Sequence, residues 1–299
     1  MKFHLLRATS LFLLVLVSAN MHAQSVATPC QVEAKEVSLE KGSVQYFKVG
    51  SGQPVLLLHG LFAQKEQWTE FACELSKGGF VVYAPDLPGY GASIGFPIED
   101  YQLDKEVLLI HQFVQNLQLK KLHLAGNSMG GAIAALYSAK YPEAVKSLGF
   151  IGAPLGIVGW SPQVRNAINS GVNPFIPITV AQLNLEMSLL FSAPPTIPEK
   201  LQLEILRPYI SNNRHYQQVW DIVNLDMDVL TRGQKSYKPT FIVWGEGDGI
   251  FNIAGKPLLE KKYPKALSLA IPNASDLIML EKPSEIAGLY KGFLRMRAP

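Results

Sequence analysis

The sequence predicts an α/β fold: a mostly parallel, twisted sheet with helices on both faces, plus a helical cap insertion. Three observations carry this. Short apolar runs recur along the chain, amphipathic stretches of helical period alternate with them, and the alternation stops between residues 157 and 236 before it resumes. Brief runs that are apolar throughout read as strands covered on both faces, the situation of strands in a parallel sheet.

The chain begins with an export signal over residues 1–23. "MKFHLLR" gives a positive start, "LFLLVLV" (11–17) an apolar core, and "SANMHAQS" small residues for cleavage after Ala19 or Ala23. That core is shorter than the roughly 20 residues a membrane span needs. The expected protein is periplasmic or secreted, with no stable membrane span after cleavage. Losing Lys2 and Arg7 with the leader takes the formal charge from +3 to +1. A near-neutral chain without a basic patch gives no support for a nucleic-acid partner. With 48% hydrophobic and 17% charged residues, the mature chain has the makings of a large folded core. Its two cysteines, Cys30 and Cys73, either pair in an oxidising compartment or stay buried as small apolar thiols. Neither has a histidine or second thiol at metal-ligand spacing, so no metal site is expected.

Each element then follows from its pattern. "SVQYFKV" (43–49) alternates, as an antiparallel strand with one solvated face does. "PVLLLHG" (54–60), "FVVYAPD" (80–86), "KLHLAGN" (121–127), "SLGFIGA" (147–153) and "TFIVWGEGD" (240–248) are the buried strands. Helical patterns lie between them at 67–79, 103–119 and 129–142. The core is therefore 24–156 and 237–299. The cap, 157–236, consists of proline-punctuated helical pieces at 174–191, 197–210 and 212–227.

"GNSMG" (126–130) matches G-x-S-x-G, with an apolar strand before Ser128 and a helix of small residues after it. That is the setting of a nucleophile elbow: a sharp turn holds the serine strained, and the flanking Gly126 and Gly130 let strand and helix approach. "LLLHGLF" (56–62) offers a turn whose Leu61 amide (Phe62 is the alternative), with that of Met129, would form an oxyanion hole. His59 reads as the organiser of this loop. "DLPGYGAS" (86–93) carries no lysine and opens no helix, so it is a poor phosphate loop. "GNSMGG" lacks the dinucleotide spacing, so no cofactor is implied.

"HGLF", "DLPGYGAS", "GNSMGG" and "WGEGD", in this order, resemble the α/β-hydrolase family, in its branch of cap-bearing esterases and carbon–carbon bond hydrolases. The resemblance covers about residues 36–295. It implies Ser128 as nucleophile, Asp248 as the acid, and Leu61 and Met129 as the oxyanion hole. The family's last strand is followed by N-A-G-H-x-x-x-x-E-x-P, whose histidine completes a Ser-Asp-His triad. Here the loop reads "NASDLIMLEKP" (273–283), and Asp276 stands at the histidine position.

No other histidine restores the order, because none follows His215. His4 and His22 belong to the leader, His111 and His123 to a helix and a strand, and His215 to the cap. A carboxylate, with a reference pKa of about 3.9, is a far weaker base than imidazole. Losing the base of a serine triad costs roughly a factor of 10⁶. Three readings follow: a hydrolase of a small apolar ester or acyl substrate with an atypical base (Asp276 through water, or His215), a ligand-binding or sensing protein on a hydrolase frame, or a chain in which Asp276 replaces the histidine of an active relative.

Overall fold

A computed structural model describes residues 30–232 and 234–296; the leader lies outside them. Eight strands form one sheet in the order β1-β2-β4-β3-β5-β6-β7-β8. They are β1 (Glu33–Ser38), β2 (Ser43–Gly50), β3 (Gln53–Leu58), β4 (Phe80–Pro85), β5 (Leu122–Asn127), β6 (Val145–Pro154), β7 (Thr240–Gly245) and β8 (Ala266–Ile271). The pairs β1·β2 and β2·β4 are antiparallel, and every pair from β4 to β8 is parallel. The fold class expected from the sequence is the one observed.

Helices α1 (Thr69–Ser76), α2 (Leu103–Asn116) and α3 (Ser128–Lys140) connect the strands up to β6. Four more, α4 (Pro162–Asn169), α5 (Val180–Leu190), α6 (Glu199–Ser211) and α7 (Asn213–Asn224), fill the stretch between β6 and β7. Then come α8 (Lys256–Lys262), α9 (Ile278–Glu281) and α10 (Pro283–Arg295). Two large apolar clusters cover the sheet. One is centred on residues such as Phe113, Ile133 and Phe150, the other on Phe71, Tyr290 and Phe293.

Chain direction in the sheet decides where a site can form. From β3 the chain moves one way to β4, then returns across β3 to β5, so the crossovers part between β3 and β5. The carboxyl ends of strands at such a reversal leave a crevice, where ligands of open α/β sheets bind. The "HGLF" turn leaves β3 at that point and Ser128 leaves β5 there.

Strands β1 and β8 and helices α4, α8, α9 and α10 were not among the expected elements. β1 is the polar edge strand EAKEVS, and β8 is an edge strand in which only Ile271 is buried, so neither shows the pattern of a fully buried strand. α4, PQVRNAIN, buries only Val164. Cys30 and Cys73 are joined by a disulfide, which ties the segment before β1 to α1.

Candidate active site

β5 passes into α3 without a loop residue, and Ser128 is the hinge, at φ 49°. A left-handed backbone is strained for a serine and is held only by its surroundings. The glycines around it are steric necessities. A Cβ at Gly126 would lie 2.3 Å from the Gly130 carbonyl carbon, and one at Gly130 would lie 2.2 Å from the Leu58 carbonyl oxygen. The strand, the elbow helix and the end of β3 therefore touch backbone to backbone.

Residues 60–63 form a turn closed by the Ala63 N–H donating to the Gly60 carbonyl (3.2 Å), with Phe62 at φ 57°. The Leu61 and Phe62 amides stand outside the turn's own bond. Gly60 is the point of closest approach, since a Cβ there would lie 3.4 Å from Ser128 Cβ. Met129 is in the first turn of α3, where amides have no intrahelical acceptor. The turn that carries Leu61 thus packs against Ser128 through Gly60, and Met129 follows Ser128 in the chain.

His59 holds this loop. Its Nδ1–H donates to the Gly60 carbonyl (2.8 Å) and its Nε2 accepts the Leu87 N–H (2.9 Å). Burial lowers its pKa to about 4, so it stays neutral with both nitrogens engaged. The glycine-rich loop is organised from within. Buried Asp86 accepts from the Lys65 and Ala92 amides and from Lys65 Nζ, each at 2.8 Å.

Two loops carry the acids. After β7, Asp248 Oδ1 accepts the Ile250 and Phe251 amides at 2.8 and 2.9 Å, while Oδ2 is buried without a partner. After β8, the Asp276 loop is fixed from three directions. The Gly247 N–H donates to the Ala274 carbonyl (2.9 Å), Asn127 Nδ2 donates to the Asp276 carbonyl (3.2 Å), and the Ser275 N–H donates to Glu281 Oε2 (2.6 Å). Asn127 directly precedes Ser128, so one side chain ties the Asp276 backbone to the elbow. Gly152 makes room for that tie, because a Cβ there would lie 2.6 Å from Asn127 Nδ2.

Asp276 is 3% exposed, and its Oδ1 is buried without a partner. Burial, then the neighbouring charge of Asp248, pushes its carboxyl far above the ordinary range. Burial also raises Asp248. Burial and the Asp248 charge therefore both disfavour ionisation of Asp276.

Ser128 and Asp276 line one cavity of about 400 Å³, which also takes side chains from all but the first of the four helices between β6 and β7. His215 is the one histidine among the described residues on its wall. It has a partner the sequence did not reveal, the Tyr101 hydroxyl, 3.4 Å from Nε2. That phenol donates its own proton to the Gly89 carbonyl (2.7 Å), so Nε2–H is the donor and Nδ1 is left as acceptor. His111 stacks on Tyr141 with ring centroids 3.7 Å apart, and His123 bonds Ser147 and Gln53 from within β5; neither lines the cavity. Glu186 and Gln67, which the sequence did not mark, do line it.

A family model of the α/β-hydrolase fold matches residues 53–189. The Psychrobacter immobilis protein named Lipase 1 is 29% identical over 271 residues, spanning 88% of this chain and 84% of that protein. Monoacylglycerol lipase ABHD6 of Homo sapiens is 27% identical over 258 residues, 82% of this chain and 76% of that protein. The crystal structure of a membrane phospholipase A superposes with a TM-score of 0.81 at 26% identity, covering 89% of this chain and 86% of the other. A meta-cleavage product hydrolase from Pseudomonas fluorescens, at 20% identity and a TM-score of 0.72 over 88% of this chain and 98% of its own, shares the fold. Sheet order, a strained serine between strand and helix, and these likenesses show that the chain has the α/β-hydrolase fold.

Proposed function

We propose that this chain is a serine hydrolase of the ester- and lipid-hydrolase kind, working on a small apolar ester or acyl ligand with an impaired base. Ser128 is the nucleophile, and the Leu61 and Met129 amides receive the oxyanion. The acid pair Asp248–Asp276 occupies the place of an acid–imidazole pair, with Asp276 at the position where the family carries histidine. One observation carries this reading: Asp276, whose backbone is tied to Asn127 at the elbow and whose loop is bonded to the Asp248 loop, bears a buried carboxyl that burial and the Asp248 charge push far above the ordinary range. A protonated acid cannot take the serine's proton, and a buried one ionises only at a cost. Elbow geometry and the names of the relatives support the reaction class; the apolar cavity supports the ligand class.

The second reading is a weak or inactive ligand-binding protein on the same frame, favoured by that same buried carboxyl. His215 keeps a third route open, because it is the one imidazole on the cavity wall among the described residues and it presents a free acceptor nitrogen. The leader and the Cys30–Cys73 disulfide support a periplasmic or secreted location.

Hydrolysis of short and medium p-nitrophenyl esters by the purified protein, Ser128→Ala and His215→Gln separates these readings. Slow turnover lost in Ser128→Ala and kept in His215→Gln supports the impaired-base hydrolase. A tenfold or larger fall in His215→Gln assigns the base to the imidazole. Turnover indifferent to Ser128 overturns the proposal.

A further inference from the structure

The cavity has a second polar pole that the serine chemistry does not use. Glu186 sits in α5, whose sequence VAQLNLEMSLL is otherwise uncharged. It lines the cavity yet is only 6% exposed, and its Oε2 is buried with no hydrogen-bond partner. Gln67, in the 3₁₀ turn Lys65–Trp68, lines the same cavity at 1% exposure, with both amide atoms buried and unpartnered. Leaving such groups unpaired costs about 1–3 kcal/mol each. Native folds pair nearly all buried polar atoms, so these exceptions, which add to Asp276 on the same cavity wall, call for a partner from outside the chain.

Both residues stand beside the reacting end. Leu190, one turn after Glu186 and also on the cavity wall, accepts the Leu277 N–H at 3.2 Å through its carbonyl. Glu186 is thus about 6 Å along the helix from the loop that carries Asp276. The turn holding Gln67 packs against α9, which follows that loop. Burial without a cation raises Glu186 to about 8, so it is a neutral carboxyl, donor and acceptor together, at neutral pH. The Gln67 amide adds two donors and an acceptor.

We propose that Glu186 and Gln67 form a subsite for a neutral, hydroxyl-bearing head group, the alcohol portion of the ester ligand. Hydroxyls both donate and accept, which is what a neutral acid and an amide need. An ammonium head group offers no acceptor to the amide N–H groups. The inference rests on the ester-ligand reading of the cavity and names the polar part of that ligand.

The test uses probes that cannot be hydrolysed, so it reads binding even if turnover is absent. Titrate 1-O-decylglycerol, decyl methyl ether and decyltrimethylammonium below their micellar concentrations into the full-length mature protein, Glu186→Leu, Glu186→Gln and Gln67→Leu, following heat of binding and melting temperature. The expected result is a tenfold or larger preference of the parent for decylglycerol over the methyl ether. It should vanish in Glu186→Leu and Gln67→Leu and persist in Glu186→Gln, all melting cooperatively. Equal affinities in the parent, tighter binding of the ammonium probe, or a hydroxyl preference that survives both leucine variants would overturn the subsite. Failure of the hydrolase reading shows separately, as no Ser128-dependent ester cleavage.

Discussion

Asp276 carries the proposal at the scale of a single residue. It is buried, tied through its backbone to Asn127, and close enough to Asp248 for the two acids to oppose each other's ionisation. Its folded pKa lies above the unfolded value, so the sign of the linkage is fixed. Stability from the retained proton is full below about pH 3.9 and is lost as pH rises toward the folded value, at about 1.4 kcal/mol per unit. Asp276→Asn, a permanently neutral near-isostere, should therefore gain on the parent in urea midpoint as pH rises from 5 to 8. A difference that stays flat with pH would contradict a neutral Asp276. Gly126→Ala gives a second residue-level expectation. Its Cβ would meet the Gly130 backbone at 2.3 Å, so the variant should lose about 3 kcal/mol or fail to fold, read by denaturant unfolding. The positions of Ser128, Asp248 and Asp276 after β5, β7 and β8 were legible because each sits at a short offset from the end of a strand. Glu186 and Gln67 were not, because nothing in a lone acid or amide says that packing will leave it dry and unpaired. The Tyr101–His215 contact joins residues 114 positions apart and was equally invisible.

Elements bring the site residues together by ending in the right places. β3, β5, β7 and β8 run parallel and share one carboxyl end of the sheet, where Gly126, Gly130 and Gly245 let neighbouring backbones touch. Buried parallel strands were readable as apolar runs, and α3 as a run of small residues after the elbow. β1 and β8 escaped because edge strands bury little and lack the pattern of a fully buried strand. The Cys30–Cys73 pairing stayed undecided in the sequence, since it depends on β1 folding back along β2 to bring residue 30 near α1. The disulfide closes a separation of 43 residues, which is worth about 4 kcal/mol on the loop-entropy account. Reduction with dithiothreitol should lower the urea unfolding free energy by about that amount. No change would mean that the tie does not constrain the unfolded chain.

At the scale of the whole molecule, the core supplies the chemistry and the helices between β6 and β7 supply the chamber. Trp160 joins this insertion to the β7 loop, stacking on Trp220 and on Phe251 at centroid distances of 5.2 and 5.1 Å. The existence of a helical insertion was legible from its prolines and the lost strand alternation. Its chamber-facing side chains were not, because orientation over the sheet is set by tertiary contacts such as these. Ligand selection thus lies mostly in the part of the chain that sequence patterns describe least.

The central claim is that a complete serine-hydrolase frame lacks only a competent base at position 276. The most direct measurement is kcat/KM for p-nitrophenyl butyrate in Asp276→His against the parent, across pH 5–9. A rise of about 10³-fold or more, governed by an ionisation near neutrality and abolished by Ser128→Ala in the same background, is the expected result. A parent already as fast as Asp276→His, with its own ionisation near neutrality, would contradict it.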